Sequence, residues 1–132
     1  MPEAELTFTA RGLAKMSGIS RDQLIRWDRA GLIRAAHRHC GNRQERAYTR
    51  EQALGVLALG ELRRRGVSQR RIRIAAGVLP PISIHEHAFL VFDGQLLHTR
   101  RTDAEVVDLL SGTNGHCRVL RLGRLVERLA RP

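Results

Sequence analysis

One short stretch of the chain, residues 21–29, concentrates side chains that can recognise bases. Asp22, Arg26 and Arg29 are spaced i, i+4 and i+7, so a helix places them on one face. The residues that flank this face are Arg21, Gln23 and Ile25. Arginine can form paired hydrogen bonds to guanine, glutamine can do so to adenine, and an aliphatic tip can contact a thymine methyl group. The pattern suits a face that reads base edges in DNA, although on an isolated helix a solvated face is the simpler interpretation.

Basic side chains outside that stretch are candidates for phosphate contacts. They lie before it and in the Arg-, His- and Gly-rich segment 34–48 after it. Side chains from elements that flank a groove hold the protein in register on the phosphates without reading sequence. We expect such contacts from Arg11, Arg38, Arg43, Arg46 and Tyr48. The arginine runs at 63–65 and 70–73 are predicted either to contact DNA as well or to form a solvated turn.

Two short predicted helices position the base-reading face. Thr9 can cap a helix over 10–16. Ser20 and Gln23 have the spacing of a capping box, which opens a second helix over 21–30. Two short helices joined by a three-residue turn form a helix-turn-helix, whose second helix enters the major groove.

Apolar side chains at helical spacing predict the core behind this unit. Leu24 and Trp27 are three residues apart and are expected to point inward. The segment between the two helix pairs lacks helical periodicity and suits a turn or a small wing. Thr49 opens a helix that is apolar nearly all round, which is typical of a central core helix. Ser68 opens another, which Pro80 ends.

Beyond the prolines the pattern changes to that of short strands. Segments 88–92 and 95–99 are predicted to pair around a two-residue turn at Asp93–Gly94. A capping box at Thr102 opens a helix, followed by a strand at 117–120. The residues expected to face inward from that helix and from a final one are Val106, Val107, Leu110, Leu122, Leu125, Val126 and Leu129. The fold class is therefore α+β: a mainly α-helical winged helix-turn-helix over residues 1–79 and a small ββαβα module over 80–132.

The charge distribution separates the same two parts. The chain carries 23 Lys and Arg against 13 Asp and Glu, a net charge of +10. Residues 1–79 hold 16 basic and 7 acidic side chains (+9), whereas residues 80–132 hold 7 and 6 (+1). This asymmetry favours a polyanion-binding first part. No apolar run approaches the ~20 residues of a membrane span, and two cysteines fit a reducing cytosol, so a cytoplasmic location is expected, on the nucleoid when bound.

Other chemistry finds less support in the sequence. His37, His39 and Cys40 lie close together, and His85-x-His87 and His116-Cys117 form further pairs, but none has the spacing of a structural metal site. No nucleophile motif, P-loop or dinucleotide-binding turn occurs. We therefore expect no metal, no cofactor and no catalytic residue.

Several separated motifs resemble those of the MerR-type winged helix-turn-helix regulators. They occur in the family's order over about residues 7–79 and read LAKMSGIS at 13–20, WDRAGLI at 27–33, RAYT at 46–49 and RGVS at 65–68. The wing tip departs from the family, because Gln44-Glu45-Arg46 stands where Gly-Tyr-Arg is usual. The long dimerisation helix of full-length members is replaced by the ββαβα segment. That segment loosely resembles the β-rich part of some small MerR-like regulators and antitoxins.

The resemblance implies a sequence-specific DNA-binding transcription regulator. We expect a homodimer on a palindromic operator, since one helix-turn-helix covers too few phosphates for specific affinity at physiological salt. Regulation of its own transcription is expected as well. The alternative is an antitoxin that neutralises a partner toxin through the second part and represses its own operon. A small-molecule pocket in that part is a third interpretation. It has the least support, because such pockets are usually lined with aromatic side chains and the chain has five aromatic residues.

Overall fold

The computed structural model describes residues 6–80, 82, 88–112 and 117–130. Within them the chain forms helices and two three-stranded antiparallel sheets, which confirms the α+β class. The elements in chain order are β1 (Leu6–Thr9), α1 (Ala10–Ser17), α2 (Arg21–Arg29), β2 (Ala36–Cys40), β3 (Arg43–Thr49), α3 (Arg50–Arg64), α4 (Gln69–Gly77), β4 (Phe89–Phe92), β5 (Leu97–Arg100), α5 (Asp103–Ser111), β6 (Arg118–Arg121) and α6 (Leu122–Ala130).

Side-chain caps begin the first four helices where the sequence predicts them. Thr9, Ser20, Thr49 and Ser68 each accept a hydrogen bond at the side-chain oxygen from the backbone amide three residues later. At Thr49 the box is complete, because the side chain of Gln52 accepts from the Thr49 amide at 2.9 Å. Each cap satisfies an amide that the helix itself leaves unpaired.

The segment predicted as a turn or a small wing forms the β2–β3 hairpin, which we call the wing. The hairpin is part of a sheet of order β1-β3-β2. β2 and β3 pair in antiparallel register from Ala36 opposite Ala47 to Cys40 opposite Arg43, which leaves a two-residue turn at 41–42. β1, which the sequence analysis did not predict, pairs with the end of β3. The sheet thereby ties the start of α1 to the wing.

Helix α3 is the centre of the core. Every residue from 53 to 60 is buried, as is Leu62, which confirms the prediction of a core helix. Gly60 allows close packing on α1, because a β-carbon there would overlap the carbonyl oxygen of Ser17. A β-carbon at Gly55 would meet only the side chain of Leu79.

The second sheet has the order β5-β4-β6 and differs from the prediction in its turn. Phe92 pairs with Leu97, so the hairpin loop has four residues, 93–96, and the predicted two-residue turn is wrong. The cause is the Asp93 side chain, whose Oδ1 accepts from the amides of Gln95 at 2.9 Å and Leu96 at 2.7 Å. This Asx turn makes the loop two residues longer than predicted. Because side chains alternate between the two faces of a strand, a shift of two residues leaves the same side chains of β5 on the inward face.

The two final helices differ in their burial, and α6 is the one that packs against α3 of the first part. In α5, Val106 is buried but Val107 is 62% exposed, so the inward placement of Val107 is wrong. A residue next to an inward one is rotated by about 100° around a helix, which carries Val107 off the buried face. In α6, Leu122, Leu125 and Leu129 are buried as predicted.

One hydrophobic core runs through both predicted parts. Leu57 and Leu59 of α3 belong to the same buried cluster as Leu90, Leu120 and Leu125. The boundary predicted between residues 79 and 80 therefore does not divide the core. The division of the chain into two domains at this boundary stays a prediction. No helix within the described ranges has the length and apolar character needed to cross a bilayer.

Candidate nucleic-acid interface

Helix α2 presents the predicted recognition face to solvent. Leu24 and Trp27 are each 1% exposed and anchor the helix in the core, which confirms their inward placement. The side chains predicted to read bases lie on the surface: Arg21, Asp22, Arg26 and Arg29 are exposed, and Gln23 and Ile25 are half-buried. The helix is therefore held rigidly on one side and open on the other.

A groove lies between α2, the start of α1 and the wing, and we call it the wing groove. It encloses about 510 Å³. Its walls bring together five residues that the sequence predicts to contact DNA, which are Arg11, Arg21, Ile25, Arg43 and Arg46. Glu45 is the acidic residue that lines it. Four guanidinium groups around one open groove form a positive surface that suits a phosphate backbone.

A second groove lies on the opposite side of α2, against α4, and we call it the α4 groove. It encloses about 690 Å³ and is lined by Gln23 and Arg26 of α2 and by Arg70 and Arg73 of α4. Gln23 accepts a hydrogen bond from Gln69 Nε2 at 3.2 Å, which joins the two helices. This bond replaces the return half of the predicted capping box. The second arginine run, for which the sequence left a solvated turn open, thus lines a groove beside the recognition helix.

The carboxylate of Asp28 joins the recognition helix to the wing. One of its oxygens lies 2.7 Å from Arg46 Nε and 3.2 Å from His37 Nε2, and the other accepts from the Ala35 amide at 3.1 Å. Its side chain is 10% exposed. Burial alone would raise the pKa of Asp28, but the bonds from Arg46, Ala35 and His37 and the charge of Arg46 outweigh it, and the pKa lies below its ordinary value. The geometry fixes the position of the wing relative to α2.

The unusual wing tip has a local counter-charge. Glu45 faces Arg38 directly across the β2–β3 ladder, and Arg38 Nε lies 2.7 Å from Glu45 Oε1. A pair of opposite charges at facing positions stabilises the strand pairing. Glu45 is thus neutralised within the wing, and Arg38, a predicted phosphate contact, is its partner.

Two predicted phosphate contacts occupy other positions than expected. Tyr48 is fully buried, so its hydroxyl does not reach the surface, and the phosphate contact predicted for it is not compatible with this placement. Burial raises the pKa of Tyr48, and the nearby charge of Asp28 adds to the effect against the opposing charge of Arg46. Arg46 lines the wing groove but is 20% exposed and paired with Asp28. Its contact with phosphate stays a prediction.

The described residues hold no group of three histidine, cysteine or acidic side chains placed to bind a metal ion. His37 contacts Asp28 instead. His85, His87 and His116, which the sequence analysis considered, lie outside those residues.

Comparison with known proteins places this geometry in a family context. Residues 8–76, just over half of the chain, match the family model described as the MerR HTH family regulatory protein. That range contains the residues of both grooves. A search of curated proteins found no match.

Proposed function

This chain belongs to the MerR family of helix-turn-helix regulatory proteins, whose members are DNA-binding transcription regulators, and we propose that it binds a specific palindromic operator as a homodimer and regulates its own transcription. It would act in the cytoplasm, on the nucleoid. The observation that carries the proposal is the position of α2, whose exposed face lies between two arginine-lined grooves.

This arrangement supports binding to duplex DNA. The major groove is about 12 Å wide and admits one helix, with a phosphate chain on each side. With α2 in the groove, the wing groove supplies Arg11 and Arg43 to one chain, and the α4 groove supplies Arg70 and Arg73 to the other. Phosphate contacts on both sides fix the depth and register of the helix, which is what allows base contacts to discriminate.

Individual side chains then take different roles. Arg26 is exposed near the middle of α2 and is the residue we expect to read a guanine. Gln23 is held by Gln69, so its remaining hydrogen-bonding groups are oriented before DNA arrives. Arg43 lies at the start of β3 and contacts phosphate in this proposal.

Dimerisation supplies the second half-site. Two apolar side chains of the second part are unusually exposed, Val107 at 62% and Leu96 at 49%, and they suit a contact with a second copy. The same exposure suits a protein partner, which keeps the antitoxin alternative open. Sedimentation of the intact protein and of Val107→Lys separates the two: a wild-type dimer that Val107→Lys dissociates supports dimerisation, whereas a wild-type monomer contradicts it.

The DNA-binding proposal is tested by fluorescence anisotropy on the region upstream of the protein's own gene and on scrambled DNA, over a range of salt concentrations. We expect a preference for the upstream region that survives near-physiological salt. Arg26→Ala should cost about 1–3 kcal/mol on specific DNA and relax the preference at one base, while Arg43→Ala should weaken both DNAs alike and reduce the salt slope by about 1. Arg101→Ala, an exposed arginine outside both grooves, is the matched control.

Equal binding to the two DNAs that salt abolishes would contradict a sequence-specific regulator. Equal losses on both DNAs for Arg26→Ala and Arg43→Ala would remove Arg26 from the base-reading residues. A specific preference for DNA other than the upstream region would leave regulation but contradict autoregulation.

A further inference from the structure

A third arginine-rich surface lies where the second part of the chain meets α3, away from both grooves described above. A cleft of about 220 Å³ opens between the end of α3, β6 and α6. We call it the arginine cleft. Its charged lining consists of Glu61, Arg64, Arg65, Arg121, Arg124 and Arg128.

The cleft carries an unbalanced charge. Five guanidinium groups surround one carboxylate, an excess of four positive charges. Glu61 is shared, with its oxygens at 3.4 Å from Arg65 Nε, 3.6 Å from Arg64 Nη2 and 3.7 Å from Arg128 Nη1. One carboxylate cannot neutralise the whole set. Like charges held together destabilise the site unless an anion joins them.

Contacts between elements hold part of this set in place. Arg65 Nη1 donates to the carbonyl oxygen of Val119 in β6 at 3.1 Å, and Arg128 Nη2 donates to the carbonyl oxygen of Met16 in α1. These bonds cross from α3 to β6 and from α6 to α1. They fix the walls of the cleft before any ligand binds, which lowers the cost of ordering the site.

Two arginines remain available for a ligand. Arg121 and Arg124 are exposed, and neither side chain forms a hydrogen bond or an ion pair with another residue in the described part of the chain. Arg121 ends β6 and Arg124 lies in the first turn of α6, so both side chains reach the same cleft. The planar guanidinium group matches the oxygens of a phosphate group with paired, charge-assisted hydrogen bonds.

We propose that the arginine cleft binds the phosphate oxygens of an anionic ligand, with Arg121 and Arg124 as its principal contacts. Its volume is below the ~300–1,000 Å³ of sites that enclose drug-sized ligands, which favours a compact anion over a large organic one. The phosphate can come from a soluble phosphorylated compound or from a DNA backbone that passes the end of α3. The cleft shares no residue with either groove, so this inference goes beyond the proposed function.

The first test is isothermal titration of the intact protein with pyrophosphate at low ionic strength. We expect saturable binding that weakens about tenfold or more in Arg121→Gln and in Arg124→Gln, because each removes charge-assisted bonds to the ligand. Arg101→Gln removes the same charge outside the cleft and should bind as the wild type does. Both cleft side chains are exposed and have no side-chain partner in the described residues, so the urea unfolding midpoints should not fall, which separates lost binding from lost folding.

The second test distinguishes the source of the phosphate and uses the salt dependence of DNA binding. If pyrophosphate does not bind but each cleft variant lowers the salt slope by about 1 relative to Arg101→Gln, the cleft binds DNA phosphate. If pyrophosphate binds and the DNA slope does not change, the ligand is a soluble phosphate compound. Absence of both effects, or pyrophosphate binding that all three variants retain, would overturn the proposal. The pyrophosphate test does not require DNA binding, so failure of the proposed regulatory function would leave it interpretable.

Discussion

The ion pair between Asp28 and Arg46 allows the strongest test of how the recognition helix is joined to the wing. We consider Asp28→Asn, Arg46→Gln and the double variant, measured by urea unfolding at neutral pH. Asparagine keeps the size of Asp28 and an oxygen that can accept from Ala35, so the cycle isolates the charged contact. The two side chains are 10% and 20% exposed, and the atoms are 2.7 Å apart.

The magnitude follows from this burial. A hydrogen bond between charged groups contributes about 1.5–3 kcal/mol when solvent does not compete strongly. Each single variant leaves a partly buried partner without its counter-charge, so we expect a loss of about 2–3 kcal/mol for either one. Because the double variant removes both partners of the same bond, its loss should fall short of the sum by about 1–2 kcal/mol.

The pair Arg38–Glu45 provides a matched comparison within the same wing. Its atoms are also 2.7 Å apart, but its side chains are 41% and 33% exposed. Exposed pairs contribute less than about 1 kcal/mol, so the cycle with Arg38→Gln and Glu45→Gln should give a coupling well below that of Asp28 and Arg46. Additive losses at Asp28 and Arg46, or equal couplings in the two cycles, would refute the argument that burial of this contact fixes the wing.

The pH dependence gives an independent test of the same contact. The pKa of Asp28 in the folded protein lies below its ordinary value of 3.8. A depressed carboxyl pKa contributes stability above the unfolded value and loses it as the pH falls through the folded value. The difference in unfolding free energy between the wild type and Asp28→Asn should therefore be constant at neutral pH and shrink below about pH 4. A difference that persists unchanged in acid would mean that the carboxylate charge is not what stabilises the contact.

Three further predictions concern the packing of α3, the Asx turn of the second sheet and the buried hydroxyl of Tyr48. Gly60→Ala should lower the unfolding free energy by about 2 kcal/mol or more relative to Gly55→Ala, because only at Gly60 does the new β-carbon meet backbone; equal urea midpoints would contradict this. Burial would raise the pKa of Asp93, but hydrogen bonds from the Leu96 amide, His98 and the Gln95 amide lower it to about 2. The ionised carboxylate should therefore contribute about 2 kcal/mol to the unfolding free energy above pH 4 and lose this contribution in more acid solution. A flat pH profile of the difference in unfolding free energy between the wild type and Asp93→Ala would exclude this. The Tyr48 hydroxyl is buried with no hydrogen-bond partner in the described part of the chain. Tyr48→Phe should therefore change the unfolding free energy by less than about 1 kcal/mol and leave the DNA affinity intact. A loss of DNA affinity would restore Tyr48 as a phosphate contact.

Local signals made the first part of the fold predictable. The caps at Thr9, Ser20, Thr49 and Ser68 each depend on a side chain and an amide three residues apart, so sequence alone locates them. Burial of Leu24 likewise follows from helical spacing. β1 was missed, although the alternation of apolar and polar residues in Leu6–Thr9 has the two-residue period of a strand, because four residues form a strand only when a partner is present.

Non-local contacts account for the residues that sequence reasoning misplaced. Whether Tyr48 points to solvent or to the core depends on which face of β3 meets α3, and the strand pattern alone leaves that open. Asp28 received no role, although one signal was available: an acidic residue in the last turn of a helix opposes the helix dipole and requires a partner elsewhere. The α4 groove depends on where α4 lies relative to α2, and the sequence does not give that placement.

Helix α3 connects the surfaces that carry the proposals, and this governs how they can be tested. Its capping residue Thr49 ends β3 of the wing, Gly60 packs on α1, and Glu61 lies in the arginine cleft. A helix buried at every position from 53 to 60 has little room to bend, since close-packed interiors transmit displacement rather than absorb it. Removal of residues 80–132 would strip buried apolar side chains such as Leu125 from the cluster that α3 shares. Loss of DNA binding in such a fragment would then report lost packing, and only point variants of the intact chain can assign dimerisation to the second part.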